Sequence, residues 1–87
     1  MKIRFFGKTG CLDCIKAYVI ISQFDISCEY IDVDNQDENI QKFCDHHAVD
    51  QLPHLQFLNN NNEIVIEHIG SIDEEQFYKY IVEILIK

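Results

Sequence analysis

The sequence predicts an α/β fold in which a four-stranded mixed β-sheet is flanked by three helices, in the order β-α-β-α-β-β-α. Near the start, a helix-like run lies between two strand-like runs. A unit of this kind makes its two strands parallel through a right-handed crossover. Two later strand-like runs are separated only by Asn59–Asn62. This segment favours a hairpin, because asparagine tolerates the left-handed backbone conformation of tight turns.

The first half of the chain supplies two strands and two helices. Residues 2–7 (KIRFFG) and 27–33 (SCEYIDV) are rich in β-prone residues. Apolar residues repeat with helical spacing from residue 11 to about residue 23, and again from about residue 35 to residue 47. The predicted buried faces of these two helices are Cys14, Ile15, Tyr18 and Ile21, and then Ile40, Phe43, Cys44 and His47.

The second half supplies the hairpin and the last helix. Residues 54–58 (HLQFL) and 63–69 (EIVIEHI) are the third and fourth predicted strands. The segment SIDE predicts the start of a helix, with Ser71 as the cap and Glu74 completing a capping box. The predicted buried face of this helix consists of Phe77, Tyr78, Ile81, Ile84 and Leu85.

The composition indicates one small domain, residues 1–87, with an acidic surface. The chain is 47% hydrophobic and has a formal net charge of −8. This charge argues against nucleic-acid binding, which needs clustered Lys and Arg. No apolar run approaches the ~20 residues of a membrane span, and the N-terminal segment does not have the pattern of a signal peptide. We therefore expect a cytoplasmic protein that does not bind membranes.

Cys11 and Cys14 form a CxxC pair at the predicted start of the first helix. Residues one turn apart place their Cβ atoms roughly 5–6 Å from each other, so a small adjustment closes a disulfide. The free N–H groups and positive dipole end of the helix, together with Lys8, are expected to stabilise a thiolate at Cys11. In a compartment that keeps thiols reduced, this pattern predicts redox or metal chemistry.

The redox interpretation predicts thiol–disulfide exchange. Cys11 would attack a disulfide and Cys14, the more buried partner, would resolve the mixed disulfide. The intervening Leu12 and Asp13 are expected to tune this reactivity.

Two alternatives remain open at this stage. The CxxC spacing suits zinc, and Cys44, His46 and His47 could complete a site. Against this, Cys44 lies in an apolar stripe, where a cysteine is usually a small buried hydrophobe. We assign no metal ligands, and we interpret Cys28 as packing. The other alternative is a redox-silent interaction module.

These motifs resemble the glutaredoxins of the thioredoxin-like superfamily over essentially the whole chain. KTGCLDC is similar to the glutaredoxin active-site loop, in which a lysine at the position of Lys8 holds the glycine carboxylate of glutathione. QLPHLQFL is similar to the segment that carries the family's cis-proline, here Pro53. The resemblance implies that the backbone of Leu52 pairs with substrate as an added strand.

The third similar segment, HIGSIDEE, resembles the Gly-Gly-x-Asp segment that receives the γ-glutamyl carboxylate of glutathione. A helix N-terminus suits an anion, because its amides are free to donate hydrogen bonds. The residues implied for this role are Gly70, Ser71 and Ile72.

The resemblance implies a monomeric dithiol oxidoreductase that reduces protein or glutathione mixed disulfides. It implies no tightly bound cofactor, with glutathione as co-substrate or a flavoprotein reductase as the electron source. It also implies an alternative, a carrier that binds an iron–sulfur cluster between two chains through Cys11 and glutathione, because some cluster-binding members also lack a proline after the first cysteine.

The chain also departs from the glutaredoxin pattern. Leu12 and Asp13 replace the usual proline and tyrosine, and Ser71 replaces the second glycine. Asp50 and Gln51 stand where a basic residue and threonine are common. Asp50 would repel glutathione, which is anionic. The resemblance to glutaredoxins therefore predicts thiol–disulfide chemistry more strongly than it predicts specificity for glutathione.

Overall fold

The computed structural model describes residues 1–86, so the last residue of the predicted domain lies outside the described part. The order of elements is as predicted. They are β1 (Lys2–Gly7), α1 (Leu12–Ser22), β2 (Ser27–Asp32), α2 (Glu38–His46), β3 (His54–Leu58), β4 (Ile64–Ile69) and α3 (Glu74–Leu85). The strands form one sheet in the order β2-β1-β3-β4. β1 is parallel to β2 and antiparallel to β3, and β3 is antiparallel to β4. The predicted mixed sheet is therefore confirmed.

The two faces of the sheet bury different kinds of side chain, because successive strand residues point to opposite faces. The face covered by α1 and α3 carries the apolar core, which includes Phe5, Cys14 and Phe77. On the opposite face Phe6 stacks on Phe43 of α2. That face also buries His54 and Gln56. The CxxC pair therefore borders the apolar face, and a buried polar cluster occupies the other.

The buried face of α1 differs from the prediction at two positions. Ile15 and Tyr18 are 55% and 63% exposed, whereas Ala17 and Ile20 are buried along with Cys14 and Ile21. Both spacings are helical, so the sequence pattern could not choose between them. The neighbouring elements decide the rotation of the helix, and they leave Ile15 and Tyr18 on its outer side.

The second helix starts later than predicted, at Glu38. The Asp37 side chain caps it by accepting hydrogen bonds from the N–H groups of Asn39 and Ile40. Of its predicted face, Cys44 is buried. The other three residues, Ile40, Phe43 and His47, are partly buried.

The predicted cap of α3 is wrong. Asp73, not Ser71, is the N-cap, and its carboxylate accepts the N–H of Gln76 at 2.8 Å. Glu74 is thereby the first helical residue and not the third, so the predicted capping box of Ser71 and Glu74 does not form. The intervening Ile72 is buried in the core. The predicted buried residues Tyr78 and Leu85 are also exposed, whereas Phe77 and Ile81 are buried.

The hairpin between β3 and β4 is confirmed. The side chain of Asn59 accepts hydrogen bonds from the N–H groups of Asn61 and Glu63. Asn62 has a positive φ of 62°, a conformation that asparagine tolerates. Among residues 1–86, no helix is both long and apolar enough to cross a membrane.

Candidate active site

Cys11 and Cys14 are joined by a disulfide at the N-terminus of α1. Cys11 is the N-cap residue, and its Sγ accepts the N–H of Cys14 at 3.2 Å. Its carbonyl oxygen accepts the N–H of Ile15 at 3.1 Å. The Cα atoms of the two cysteines are 5.2 Å apart, a normal separation for a disulfide. The sulfur of Cys11 therefore lies at the positive end of the helix dipole, which favours a thiolate when the bond is reduced.

The two cysteines differ in exposure as the sequence predicted. Cys11 is half-buried, whereas only 4% of Cys14 is exposed. The intervening Leu12 and Asp13 are both exposed. The sulfur of Cys11 is therefore accessible from solvent, whereas Cys14 lies inside the protein.

The other predicted site segments leave the sheet at the same end as the CxxC loop. Phe6 of β1 pairs with His54 of β3, which in turn pairs with Ile69 of β4. The loop after β1, the residues before β3 and the residues after β4 are therefore neighbours. The Leu52–Pro53 peptide is cis, as the glutaredoxin resemblance implied.

A backbone hydrogen bond joins two of these segments directly. The N–H of Gly70 donates to the carbonyl oxygen of Pro53 at 2.8 Å. Gly70 itself has a φ of 96°, a conformation that glycine adopts readily. Ser71 is exposed, and its carbonyl oxygen lies 2.9 Å from Nε2 of His68. Ile72 is in the core, so only its backbone can face a ligand.

The N-terminus of α3, where the resemblance places a glutathione carboxylate, is negatively charged. The Asp73 carboxylate already accepts an N–H there, and Glu74 and Glu75 follow in the first turn. Lys8, the predicted contact for the other carboxylate, is exposed on the loop after β1. The carboxylates of Asp73, Glu74 and Glu75 repel an anionic group. The α3 site expected for the γ-glutamyl carboxylate of glutathione is therefore electrostatically unfavourable.

Sequence reasoning missed a cavity of about 320 Å³ beside Cys14. Its lining includes Phe5, Lys8, Ile15, Tyr18 and Tyr30. Phe5 and Tyr30 are partners in the parallel β1–β2 register, and their rings stack with centroids 5.3 Å apart. In the sequence, this cavity was indicated only by aromatic residues at these two strand positions. That they lie close to Cys14 could be known only from the pairing of β1 with β2.

Gly7 allows this close approach. A Cβ atom there would lie 2.7 Å from the ring of Phe5, 3.2 Å from the hydroxyl of Tyr30 and 3.4 Å from Sγ of Cys14. The first distance is too short for two carbon atoms. The close packing of Phe5, Tyr30 and Cys14 around this position therefore favours glycine.

We predict that Gly7→Ala lowers the free energy of unfolding by about 1–3 kcal/mol, the usual cost of overpacking a core. The added methyl group must displace Phe5, which is buried. Chemical denaturation measures the effect. Gly10→Ala is a comparison for backbone strain without crowding, because a Cβ at Gly10 meets nothing within 4 Å but its φ is +84°. Equal stability of Gly7→Ala and the natural protein would contradict the crowding argument.

Asp13 offers a test of the electrostatics around Cys11. It lies in the first turn of α1, and a carboxylate about 7 Å from a thiolate repels it by roughly 1 kcal/mol at an effective dielectric constant of about 40. Asp13→Asn should therefore lower the Cys11 pKa by less than one unit. By favouring the reduced form, it should also raise the reduction potential by about 20 mV.

Thiol titration and redox equilibration with glutathione measure the two effects of Asp13→Asn. Asp25→Asn is the matched control, since it removes one acidic charge beyond the far end of α1. A pKa that stays fixed or rises in Asp13→Asn would show that the Asp13 carboxylate points away from the sulfur.

The remaining cysteines lie away from this site. Cys44 is buried on α2, outside the core cluster that contains Cys14. Burial, and to a lesser extent Asp45, raises the pKa of its thiol. Cys28 is exposed on β2, but partial burial, and then Glu29, raise the pKa of its thiol, so its predicted packing is partial. Within residues 1–86 there is no group of three His, Cys, Asp or Glu residues arranged to hold a metal ion.

Solved structures with the same fold are thioredoxins and related proteins. Thioredoxin 1 of Thermosipho africanus TCF52B superposes with a TM-score of 0.71 and 22% identity, covering 100% of both chains. Thioredoxin O2 of Arabidopsis thaliana, in its oxidized state, gives 0.73 and 21%, covering 99% of this chain and 75% of the other. A mutant thioredoxin of Halobacterium salinarum NRC-1 gives 0.77 and 23%, covering 94% and 72%. No protein-family model and no curated protein matches the sequence.

These similarities establish the fold. The chain has a thioredoxin-like fold and carries a CxxC disulfide at the N-terminus of its first helix. This combination supports a thiol–disulfide oxidoreductase.

Proposed function

We propose that the protein is a dithiol oxidoreductase in which Cys11 is the nucleophile and Cys14 the resolving cysteine. The observation that carries this proposal is the disulfide at the N-terminus of α1, with one half-buried and one buried sulfur. The helix terminus supplies the stabilisation that a nucleophilic thiolate needs.

The reaction is a two-electron exchange. In the reduced protein the Cys11 thiolate attacks a substrate disulfide, and one substrate sulfur leaves as a thiolate that takes a proton from water. The Cys14 thiolate then attacks Sγ of Cys11, and the bond between Cys11 and the second substrate sulfur breaks. The substrate is thereby reduced to two thiols, and the cysteine pair is oxidised to the disulfide.

The substrate class that we propose is a disulfide held in an extended peptide. The backbone of Leu52 precedes Pro53 at the end of the sheet where the CxxC loop lies. An extended chain can add to such a segment by β-augmentation, which uses backbone hydrogen bonds and tolerates varied sequences. The contact between Gly70 and Pro53 keeps this segment in place.

The proposal also assigns the source of the electrons that reduce the Cys11–Cys14 disulfide. Lys8 favours glutathione, but the acidic start of α3 and the exposed Asp50 repel it. We therefore propose that a flavoprotein reductase of the thioredoxin-reductase type supports faster turnover than glutathione does. The reducing cytoplasm remains the expected compartment.

The test is a reduction assay with two substrates, insulin and a mixed disulfide of glutathione with a small thiol. Each is run with NADPH and either glutathione plus glutathione reductase or thioredoxin reductase. We expect reduction of insulin, with thioredoxin reductase as the better electron source. Faster turnover with glutathione would reverse the assignment of the reductant. If the protein, pre-reduced with dithiothreitol, failed to reduce either substrate in a single turnover, the oxidoreductase proposal would be wrong.

A further inference from the structure

The Tyr30 hydroxyl and the Cys14 sulfur face the same small space. Both atoms lie close to the position that a Cβ at Gly7 would occupy, at 3.2 Å and 3.4 Å. Their separation therefore cannot exceed the sum of these two distances. Because Gly7 has no side chain, the space between the Tyr30 hydroxyl and the Cys14 sulfur is not filled by that residue. The ring of Tyr30 is held by its stack on Phe5, with an interplanar angle of 12°.

Resolution of a mixed disulfide requires Cys14 to lose its proton in a buried place. Burial disfavours a thiolate, so a thiol there needs a group that stabilises the charged form. The adjoining cavity has no carboxylate and no histidine among its described lining residues. Its polar side chains are those of Lys8, Thr9, Tyr18 and Tyr30. Among them, the hydroxyl of Tyr30 lies 3.2 Å from the Cβ position of Gly7, and the Cys14 sulfur lies 3.4 Å from the same position.

We propose that Tyr30 is a catalytic residue whose hydroxyl donates a hydrogen bond to the Cys14 sulfur and stabilises its thiolate during resolution. This inference rests on the proposed function, because it assigns a role within the exchange reaction. The hydrogen bond forms when the Tyr30 hydroxyl turns toward the Cys14 sulfur across the space beside Gly7. Gly7 is then the residue that keeps this space open.

The surroundings of Tyr30 suit a donor and not a base. Partial burial, and then the carboxylates of Asp32 and Asp34, raise the pKa of its hydroxyl above the ordinary value. The phenol therefore keeps its proton at neutral pH. The proton of Cys14 leaves to water in the cavity, and the thiolate attacks Sγ of Cys11. The substrate sulfur leaves as a thiolate and takes a proton from water.

The test compares Tyr30→Phe with Tyr18→Phe, a tyrosine that lines the same cavity. Both are made in a Cys11→Ser background, and the pH dependence of Cys14 alkylation by iodoacetamide gives its pKa. We expect Tyr30→Phe to raise the Cys14 pKa by about one unit. Tyr18→Phe should leave it unchanged. The Cys11 pKa, measured in a Cys14→Ser background, should not move in Tyr30→Phe.

A kinetic measurement extends the test to the reaction. With both cysteines present, Tyr30→Phe should slow release of the substrate thiol from the mixed disulfide about threefold near neutral pH. The tenfold loss of thiolate is partly offset, because a more basic thiolate is a better nucleophile. An unchanged Cys14 pKa, or an equal rise in both tyrosine variants, would overturn the inference. Suppose instead that the Cys14 pKa rises only in Tyr30→Phe but the natural protein has no exchange activity. That result would overturn the proposed function and retain the hydrogen bond.

Discussion

Cys11→Ser is expected to abolish disulfide exchange, whereas Cys14→Ser should keep partial monothiol activity and accumulate a mixed disulfide. Only Cys11 combines partial exposure with a position at the helix N-terminus. After attack by Cys11, the serine of Cys14→Ser cannot displace the substrate sulfur, so the adduct persists. Mass spectrometry after incubation with oxidised glutathione measures the adduct, and a disulfide reduction assay measures turnover.

Cys28→Ser is the control for this pair of variants, because Cys28 is a free, exposed cysteine on β2. It should exchange at the natural rate. A glutathione adduct on Cys14 of Cys11→Ser, formed as fast as the adduct on Cys11 of Cys14→Ser, would show that the two roles have been assigned incorrectly.

Glu67→Ala is expected to lower the free energy of unfolding by about 2 kcal/mol, because it removes a hydrogen-bond acceptor from buried groups. Nε2 of His54 lies 2.6 Å from Oε2 of Glu67. Nε2 of Gln56 donates to the same oxygen at 3.0 Å. His54 and Gln56 are both buried, and Nδ1 of His54 has no hydrogen-bond partner among the described residues. The variant would therefore leave both nitrogens of the buried His54 ring without a hydrogen-bond partner among the described residues.

The matched control is Glu75→Ala, which removes an exposed glutamate that pairs with Lys79 one turn away in α3. A surface pair of this kind contributes less than about 0.5 kcal/mol. Urea denaturation of both variants at neutral pH measures the difference. If Glu67→Ala were no less stable than Glu75→Ala, the buried cluster would not depend on Glu67.

The same cluster predicts the direction of a pH effect. The hydrogen bond from Gln56 and the contact with His54 lower the pKa of Glu67 from its ordinary value of 4.5, although desolvation opposes them. A carboxyl whose pKa is lower in the folded state stabilises the protein above its unfolded pKa. That contribution is lost as the pH falls through the folded value. The stability difference between the natural protein and Glu67→Gln should therefore narrow below about pH 4.5.

The sequence alone determined the order of the elements and the place of the CxxC pair. Strand and helix patterns are local, so β-prone runs such as KIRFFG and the helical repeat after Cys11 could be recognised without knowing their neighbours. Asn59–Asn62 predicted the hairpin for the same reason, since turn chemistry depends on adjacent residues. The cis peptide before Pro53 agrees with the family resemblance, and no local pattern in the chain required it.

Which side chains face one another depends on contacts between elements that are distant in the sequence. Two helical stripes were compatible with α1, and packing on the sheet selected Ala17 and Ile20 over Ile15 and Tyr18. The placement of Tyr30 beside the cavity that Cys14 also lines depends on the β1–β2 register, and the His54–Glu67 contact depends on the β3–β4 register. Register is set by pairing between segments far apart in the chain, and a shift of one residue would turn each side chain to the other face.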